Sequence, residues 1–256
     1  MKYNLCIDIG NTMIKIGVFE NNKIYKKFAF ETKNKGFDEF KYLISSFLSR
    51  EQIENDSIEG IILSSVVPSV NVTFKKVIDS LFTPKKQIFL PGKVKTSLPM
   101  KVDSPSEVGS DLIADMVMAK EIYHDSAVVI DVGTCTKILL LDSQGYFSGA
   151  IFMPGLIVGA KSLSDKAEQL PLTSLEVPKK IVARNTSDCL NVGLLYGHAD
   201  AIIGLILRLE KEIGYKCHHI LTGGASVYIK DIIKDDGLII DDNLCLKGLN
   251  TILNLN

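Results

Sequence analysis

A chain of 256 residues with 46% hydrophobic and 23% charged residues can bury substantial cores, and its length favours two compact domains. Lysine and arginine (29) nearly balance aspartate and glutamate (30), and no basic stretch is interleaved with aromatics, so the composition gives no support to a nucleic-acid partner and points to a small substrate. Five scattered cysteines without a C-x-x-C spacing speak for reduced thiols rather than a disulfide framework or zinc site, with Cys6 and Cys135 as small core residues.

Tyr3 to Asp8, Met13 to Phe19 and Lys23 to Phe30 read as three strands, with Glu20-Asn21-Asn22 as a tight polar turn. Met1-Lys2-Tyr3-Asn4-Leu5 enters the first strand without a leader-like apolar region, and no apolar run reaches about 18 residues without polar interruption. The expectation is a cytoplasmic protein with no membrane partner. Phe37, Phe40, Leu43, Ile44, Phe47 and Leu48 recur three and four apart, which predicts an amphipathic helix over 37–49. A buried strand follows at Gly60 to Val67, then a helix over 69–82 with Val70, Phe74, Val77, Ile78 and Leu81 inward, then a short strand at Gln87 to Leu90. Ser106 to His124 reads as a connecting helix with Ser106 as its N-cap.

The second half repeats the order. Ala127 to Asp131, Thr136 to Asp142 and Tyr146 to Phe152 are three strands with Ser143-Gln144-Gly145 as the hairpin turn. Pro154-Gly155 leads into a helix to about Glu168, a long helix covers about Thr186 to Ile213, His219 to Thr222 is a strand, Gly223-Gly224 passes into a short helix, and Ile239-Ile240 is a last strand. The fold class expected is α/β, with a βββαβα unit occurring twice and a boundary near residue 118. That division gives domains 1–118 and 119–256.

Ile7-Asp8-Ile9-Gly10-Asn11-Thr12 and Ile130-Asp131-Val132-Gly133-Thr134-Cys135-Thr136 each end a buried strand, about 120 residues apart, as duplication of a whole domain would leave them. Such a turn offers backbone N–H groups to an anion, and its carboxylate can hold the metal that accompanies a polyphosphate. Two facing turns would make a nucleotide cleft. A hairpin whose Asp and Asn merely cap a turn is the alternative for one copy; the repetition argues against it for two.

Together with Ser64-Ser65-Val66-Val67-Pro68, Glu107-Val108-Gly109-Ser110-Asp111, Pro154-Gly155, Asn185-Thr186 and Thr222-Gly223-Gly224, these turns resemble the superfamily of sugar kinases, acetate kinase, actin and Hsp70 chaperones, and within it the type III pantothenate kinases. The resemblance covers nearly the whole chain and implies two ribonuclease H-like, actin-like ATPase domains. It implies an ATP-dependent phosphorylation of the primary hydroxyl of pantothenate, the first step of coenzyme A synthesis, by a homodimer using ATP, Mg²⁺ and a monovalent cation, K⁺ or NH₄⁺. By position it assigns ATP phosphates to Asp8, Gly10, Asn11, Thr12, Lys15 and Thr134, the adenosine side to Gly223 and Gly224, and a water-mediated Mg²⁺ contact to Asp8. Asp131 corresponds to the monovalent-cation ligand, although the sequence alone does not distinguish that from a Mg²⁺ ligand or an Asp satisfied by amides. Asp111 resembles the catalytic base; without the resemblance, stabilising a helix N-terminus would be the preferred reading. Gly109, Ser110, Leu112, Val102 and Thr186 correspond to the pantothenate pocket, Thr186 being equally a good N-cap.

Departures from the family pattern gather at the acceptor side. Leu112 stands where an Arg would pair with the pantothenate carboxylate, and Val102 where a Tyr is common; Leu cannot form a bidentate charge-assisted pair. Lys93, Lys95, Lys101 and Arg184 are candidates to replace that cation. Lys137 takes the place of a small hydroxyl residue after the second turn, and Ser148 that of one of a pair of glycines. A same-fold kinase with another acceptor, and a non-catalytic nucleotide-binding regulator, are the alternative readings. His218-His219 is not expected to bind a metal jointly, since adjacent strand residues face opposite ways. His198 and Asp200 lie too close on a helix to share a face. Gly193, Gly197 and Gly204 suit close helix packing at a two-fold interface.

Overall fold

The computed structural model describes residues 1–33, 35–167, 170–171, 173–233 and 237–256. Strands β1 (Tyr3–Ile9), β2 (Met13–Glu20) and β3 (Lys23–Glu31) form an antiparallel meander, and β4 (Ile58–Ser65) and β5 (Lys86–Leu90) add parallel to β1 and to each other, giving the order β3-β2-β1-β4-β5. The alternation of a strand sorts β1 into two faces. Leu5, Ile7 and Ile9 point into a core with Phe40, Ile44, Phe47 and Leu48 of α1 (Phe37–Arg50) and Phe74, Val77 and Ile78 of α2 (Pro68–Leu81). α1 begins where the Gly36 amide donates to Glu39 Oε2 at 2.6 Å, and α2 begins with Pro68 at its first position, where a missing N–H costs nothing.

The opposite face is covered by the helix at the end of the chain. Leu244–Leu255, α7 below, lies over β1, β2 and β4, burying Leu244, Leu246, Leu249, Ile252 and Leu253. A Cβ on Gly60 would sit 3.1 Å from Leu253 and one on Gly17 3.3 Å from Leu246, so glycines let this helix approach the sheet. Asn250 and Asn4 clip it in place: Asn4 Nδ2 donates to Asn250 Oδ1 at 2.9 Å, and Asn250 Nδ2 to the Asn21 carbonyl at 2.9 Å.

The second sheet repeats the first. β6 (Ala127–Val132), β7 (Cys135–Leu141) and β8 (Phe147–Pro154) are antiparallel, β9 (His218–Thr222) runs parallel to β6 and β10 (Ile239–Ile240) parallel to β9, in the order β8-β7-β6-β9-β10. Val128, Ile130 and Val132 of β6 pack with Leu156 and Ala160 of α4 (Leu156–Lys166) and with Leu195, Ala199, Ile202 and Ile206 of the long helix. That helix runs as α5 (Thr186–Asn191), a π-helical turn at Val192–Tyr196, and α6 (Gly197–Ile213). The two sheets share strand order and strand sense, which makes the fold an internally duplicated actin-like ATPase fold.

The chain divides into one unit of Met1–Pro99, Asp103–Met118 and Asn243–Asn256, and another of Met100–Val102 and Ala119–Asp242. The terminal helix thus packs with the first unit, whereas a division at residue 118 gives it to the second. Its apolar spacing is helical, although the elements expected from the sequence end at β10. The connecting helix is shorter than expected: Pro105–Glu107 is a single 3₁₀ turn, and α3 (Ser110–Tyr123) starts after Gly109, so Ser106 does not cap it. Asn185, not Thr186, caps α5, its side chain accepting the Asp188 amide at 2.9 Å. Cys6 is buried, whereas Cys135 is half-buried and its thiol donates to the Met153 carbonyl at 3.2 Å. The expected end of the α4 helix at Glu168 lies outside the described residues.

Gly248 of α7 faces α3 so closely that a Cβ there would collide with the Ala114 carbonyl. Gly248→Ala should therefore cost stability at the upper end of the ~1–3 kcal/mol typical of overpacking, read by urea denaturation. An unchanged midpoint would mean that α7 is not seated there.

Candidate active site

Asp8, the penultimate residue of β1, is 8% exposed and points away from the α1–α2 core. In the sheet it sits opposite Lys15 on β2 and Ser64 on β4. The turn that follows is braced from within. The Gly10 amide donates to the Met13 carbonyl at 3.0 Å, the Thr32 hydroxyl to the Gly10 carbonyl at 2.7 Å, and the Thr32 amide to the Thr12 carbonyl at 3.0 Å. Asn11 and Thr12 are left exposed at the tip. Thr32 is buried and was not among the sequence candidates; a single hydroxyl after the third strand carries no motif.

Ser64 and Ser65 fix the start of α3. Ser64 Oγ donates to Ser110 Oγ at 2.8 Å, and Ser110 Oγ reaches the Ser65 carbonyl at 3.3 Å. Asp111 then falls in the first turn of α3, and its carboxylate folds back over Gly109, where a Cβ would lie 2.5 Å from Oδ1. One helical turn on, Asp115 is 2% exposed. Cys245 on α7 shows that these groups share one region of the first unit. Burial pushes its thiol well up, and Asp8, Asp115 and Asp111 push it further while Lys15 opposes them. Asp115 was missed by sequence reasoning, although its i+4 spacing from Asp111 is visible in the helical pattern. Leu112 is 6% exposed and packs in the core, so its side chain offers nothing to a carboxylate.

The second turn is built on flat contacts. The Gly155 amide donates to the Thr134 carbonyl at 3.2 Å, and a Cβ on Gly155 would collide with the Gly133 and Thr134 carbonyls. Gly223, at φ +94°, lies against β6 so closely that a Cβ would come within 2.5 Å of Asp131 Oδ1 and of the Val132 backbone. Thr134 and Gly224 are exposed, Gly223 buried. Asp131 is partnered from its own sheet. Lys137, its register neighbour on β7, places Nζ 2.8 Å from Asp131 Oδ2, and the two side chains are 15% and 18% exposed for Asp131 and Lys137 respectively. The free monovalent cation expected at Asp131 therefore does not fit: an ammonium group already neutralises the carboxylate. On the other face of the sheet, Thr136 Oγ1 lies 2.9 Å from His198 Nε2, and burial holds His198 below the usual histidine range.

Of the remaining candidates, Gly109, Ser110 and Leu112 accompany Asp111 in the first unit, while Val102 and the exposed Thr186 belong to the second. Lys101 Nζ lies 3.3 Å from both Asp142 Oδ2 and Gln144 Oε1, so it is engaged; Lys93, Lys95 and Arg184 are exposed. The two adjacent histidines diverge: His218 stacks on Tyr123 with ring centroids 4.1 Å apart, and His219 Nε2 lies 3.2 Å from Glu210 Oε1. Burial raises the Glu210 carboxyl, but hydrogen bonds from Lys216, the Cys217 amide and His219 outweigh it and hold the group below its ordinary range.

The sequence model of the type III pantothenate kinases matches residues 4–208. The chain belongs to that family. A type III pantothenate kinase from Bacillus cytotoxicus is 32% identical over 246 residues, covering 95% of this chain and 92% of that relative. One from Syntrophus aciditrophicus is 32% identical over 253 residues, covering 98% and 99%. Among solved structures, the activator of 2-hydroxyisocaproyl-CoA dehydratase from Clostridium difficile, solved with bound ADPNP, has a TM-score of 0.55 at 15% identity over 99% of this chain and 94% of that one. At that identity the likeness is one of fold, and it extends to both sheets of this type III pantothenate kinase family member.

Thr32→Val removes the hydroxyl that holds the Gly10 carbonyl. A loss of about 1–3 kcal/mol of stability is expected, with weaker binding of an ATP analogue in calorimetry. Unchanged values on both measurements would show that Thr32 does not hold the turn.

Proposed function

We propose that the protein transfers the γ-phosphoryl group of ATP to the primary hydroxyl of pantothenate, giving 4′-phosphopantothenate and ADP. The observation that carries this reading is the family match over residues 4–208, and the clustering of Asp8, Lys15 and Asp111 around Cys245 in the first unit supports it. Asp111 takes the hydroxyl proton as the oxygen attacks the γ-phosphorus and the bond to the β–γ bridging oxygen breaks. Asn11 and Thr12 of the first turn and Thr134 of the second hold phosphate oxygens, Lys15 lends positive charge, and Gly223-Gly224 allow close approach on the adenosine side. Ser110 and Gly109 set the position of Asp111 through the Ser64–Ser110 bond.

Asp8 fits a Mg²⁺ contact through water, because a carboxylate at the end of a strand beside an exposed phosphate turn is a hard oxygen donor. When bound, Mg²⁺ neutralises charge on the β- and γ-phosphates. Lys93, Lys95 or Arg184 takes the pantothenate carboxylate in place of an Arg at position 112, and Val102 and Thr186 serve acceptor binding. A kinase of this fold with another acceptor is the second reading, and the burial of Leu112 favours it. A panel of hydroxyl acceptors separates the two: turnover of pantothenate alone supports the first, and rapid turnover of another acceptor with none of pantothenate replaces it. Asp111→Asn should lower turnover by at least about a hundredfold and leave ATP affinity largely unchanged. Equal loss of ATP binding would assign Asp111 to structure.

The protein works in the cytoplasm as a homodimer through its second unit. On the long helix, Cβ atoms added at Gly193, Gly197 and Gly204 would meet nothing within 4 Å, and Leu207 is exposed, as are Ile157 and Val158 of α4. Small residues and exposed apolar groups on these helices suit close packing with a second copy. Thr186–Ile213 is long and apolar enough by composition to cross a membrane, yet its Leu195, Ala199, Ile202 and Ile206 belong to the second core. Sedimentation should give a dimer for the wild type and a monomer for Leu207→Glu. A monomeric wild type at micromolar concentration would refute the assignment.

A further inference from the structure

We propose that Lys137 is a tethered counter-cation for Asp131, standing where a free monovalent cation would otherwise be needed, so that turnover is independent of K⁺ and NH₄⁺. The inference rests on the kinase reading above and adds to it a property of this chain's own residues.

Three observations carry it. The first is the contact itself: Nζ to Oδ2 is 2.8 Å, and both side chains are largely withdrawn from water, so the attraction is weakly screened. The second is enclosure. Asp131 Oδ1 is backed by Gly223, and the Gly133 backbone lies on the same side, with a Cβ there falling 3.6 and 3.8 Å from the two carboxylate oxygens. An ion arriving at Asp131 would have to displace an ammonium group that is covalently attached, and a tethered cation competes at a very high effective concentration. The third is repetition. In the first sheet the residue opposite the Asp of the turn is also a lysine, Asp8 facing Lys15 across β1 and β2 as Asp131 faces Lys137 across β6 and β7. The duplicated fold thus provides the same cross-strand place for a cation in both copies. An ammonium group carries the same single charge as K⁺ or NH₄⁺ and, unlike a hydroxyl side chain at that position, needs no partner from solution.

Removing Lys137 would leave a half-buried carboxylate without its counter-charge, and that is the situation in which a dissolved cation is recruited. The experiment compares wild type, Lys137→Ala and Lys137→Met, the last retaining the volume of the stem. Each is assayed with ATP, Mg²⁺ and pantothenate in KCl and in choline chloride at equal ionic strength, and its melting temperature is followed through a KCl titration against the same choline background. For the wild type, equal rates and equal melting temperatures in the two salts are expected. For the variants, K⁺ should restore turnover by at least about tenfold, and the melting temperature should rise with a saturable KCl dependence.

A wild-type rate or melting temperature that depends on K⁺ against choline overturns the proposal. Variants that fold and are indifferent to K⁺ on both measurements overturn it too. If neither variant folds, the wild-type comparison alone decides. If pantothenate is not phosphorylated in any buffer, the kinase reading fails, while the melting measurements still answer whether Lys137 has replaced the ion.

Discussion

Each sheet of this protein ends its central strand in a carboxylate, and a carboxylate withdrawn from water must be compensated by hydrogen bonds or opposite charge. The rest of the architecture around the turns follows from that demand. Because β1 and β6 alternate, the residues flanking the Asp go into one core, with α1 and α2 or with α4 and α6, while the Asp is turned to the other face. The antiparallel neighbour then fixes which side chain lies opposite it, and in both sheets that is a lysine. The turn between the two strands is held at its backbone rather than by its exposed side chains: by Thr32 in the first unit, and by the close approach of Gly155 in the second. Exposed Asn11, Thr12 and Thr134 are therefore displayed on turns braced at their backbones, as the proposed phosphate contacts would need.

The catalytic assignment depends on how α3 begins. Gly109 gives room for the Asp111 carboxylate, Ser110 is tied to Ser64 and Ser65, and Ser64 is the sheet neighbour of Asp8. A short chain of contacts within the first unit thus links the phosphate turn to the proposed base. Leu112 is buried, so a carboxylate of the proposed acceptor would have to find its cation elsewhere. Asp115 adds a buried carboxylate one helical turn from the half-buried Asp111.

Much of this was legible in the residues. The three-strand runs, the turns at Asp8 and Asp131 and the apolar spacing of α1 and α2 are local signals, and they placed both sheets and nearly all the site candidates. What was illegible is tertiary. The helix at 244–255 has helical spacing, but only packing reveals that it belongs with strands more than two hundred residues earlier. Thr32 and Gly155 act through carbonyls that no motif displays. Lys137 reads as a departure because it replaces a small hydroxyl residue of the family pattern; its equivalence to Lys15 is hidden by one extra residue in the first turn and appears only in the strand register. Ser106 looked like a helix cap by type, but Gly109 delays the helix to Ser110.

The place of α7 has a consequence for how the protein is made. The face of the first sheet that carries Cys6 and Asp8 is covered by residues 244–255, so during synthesis it waits uncovered until those residues have been translated. The second unit, encoded in between, holds its own core and can mature while the first is still open. The first unit is thus completed only after the second has been made, and a chain interrupted before residue 244 would carry the Asp8 turn on a sheet without its cover.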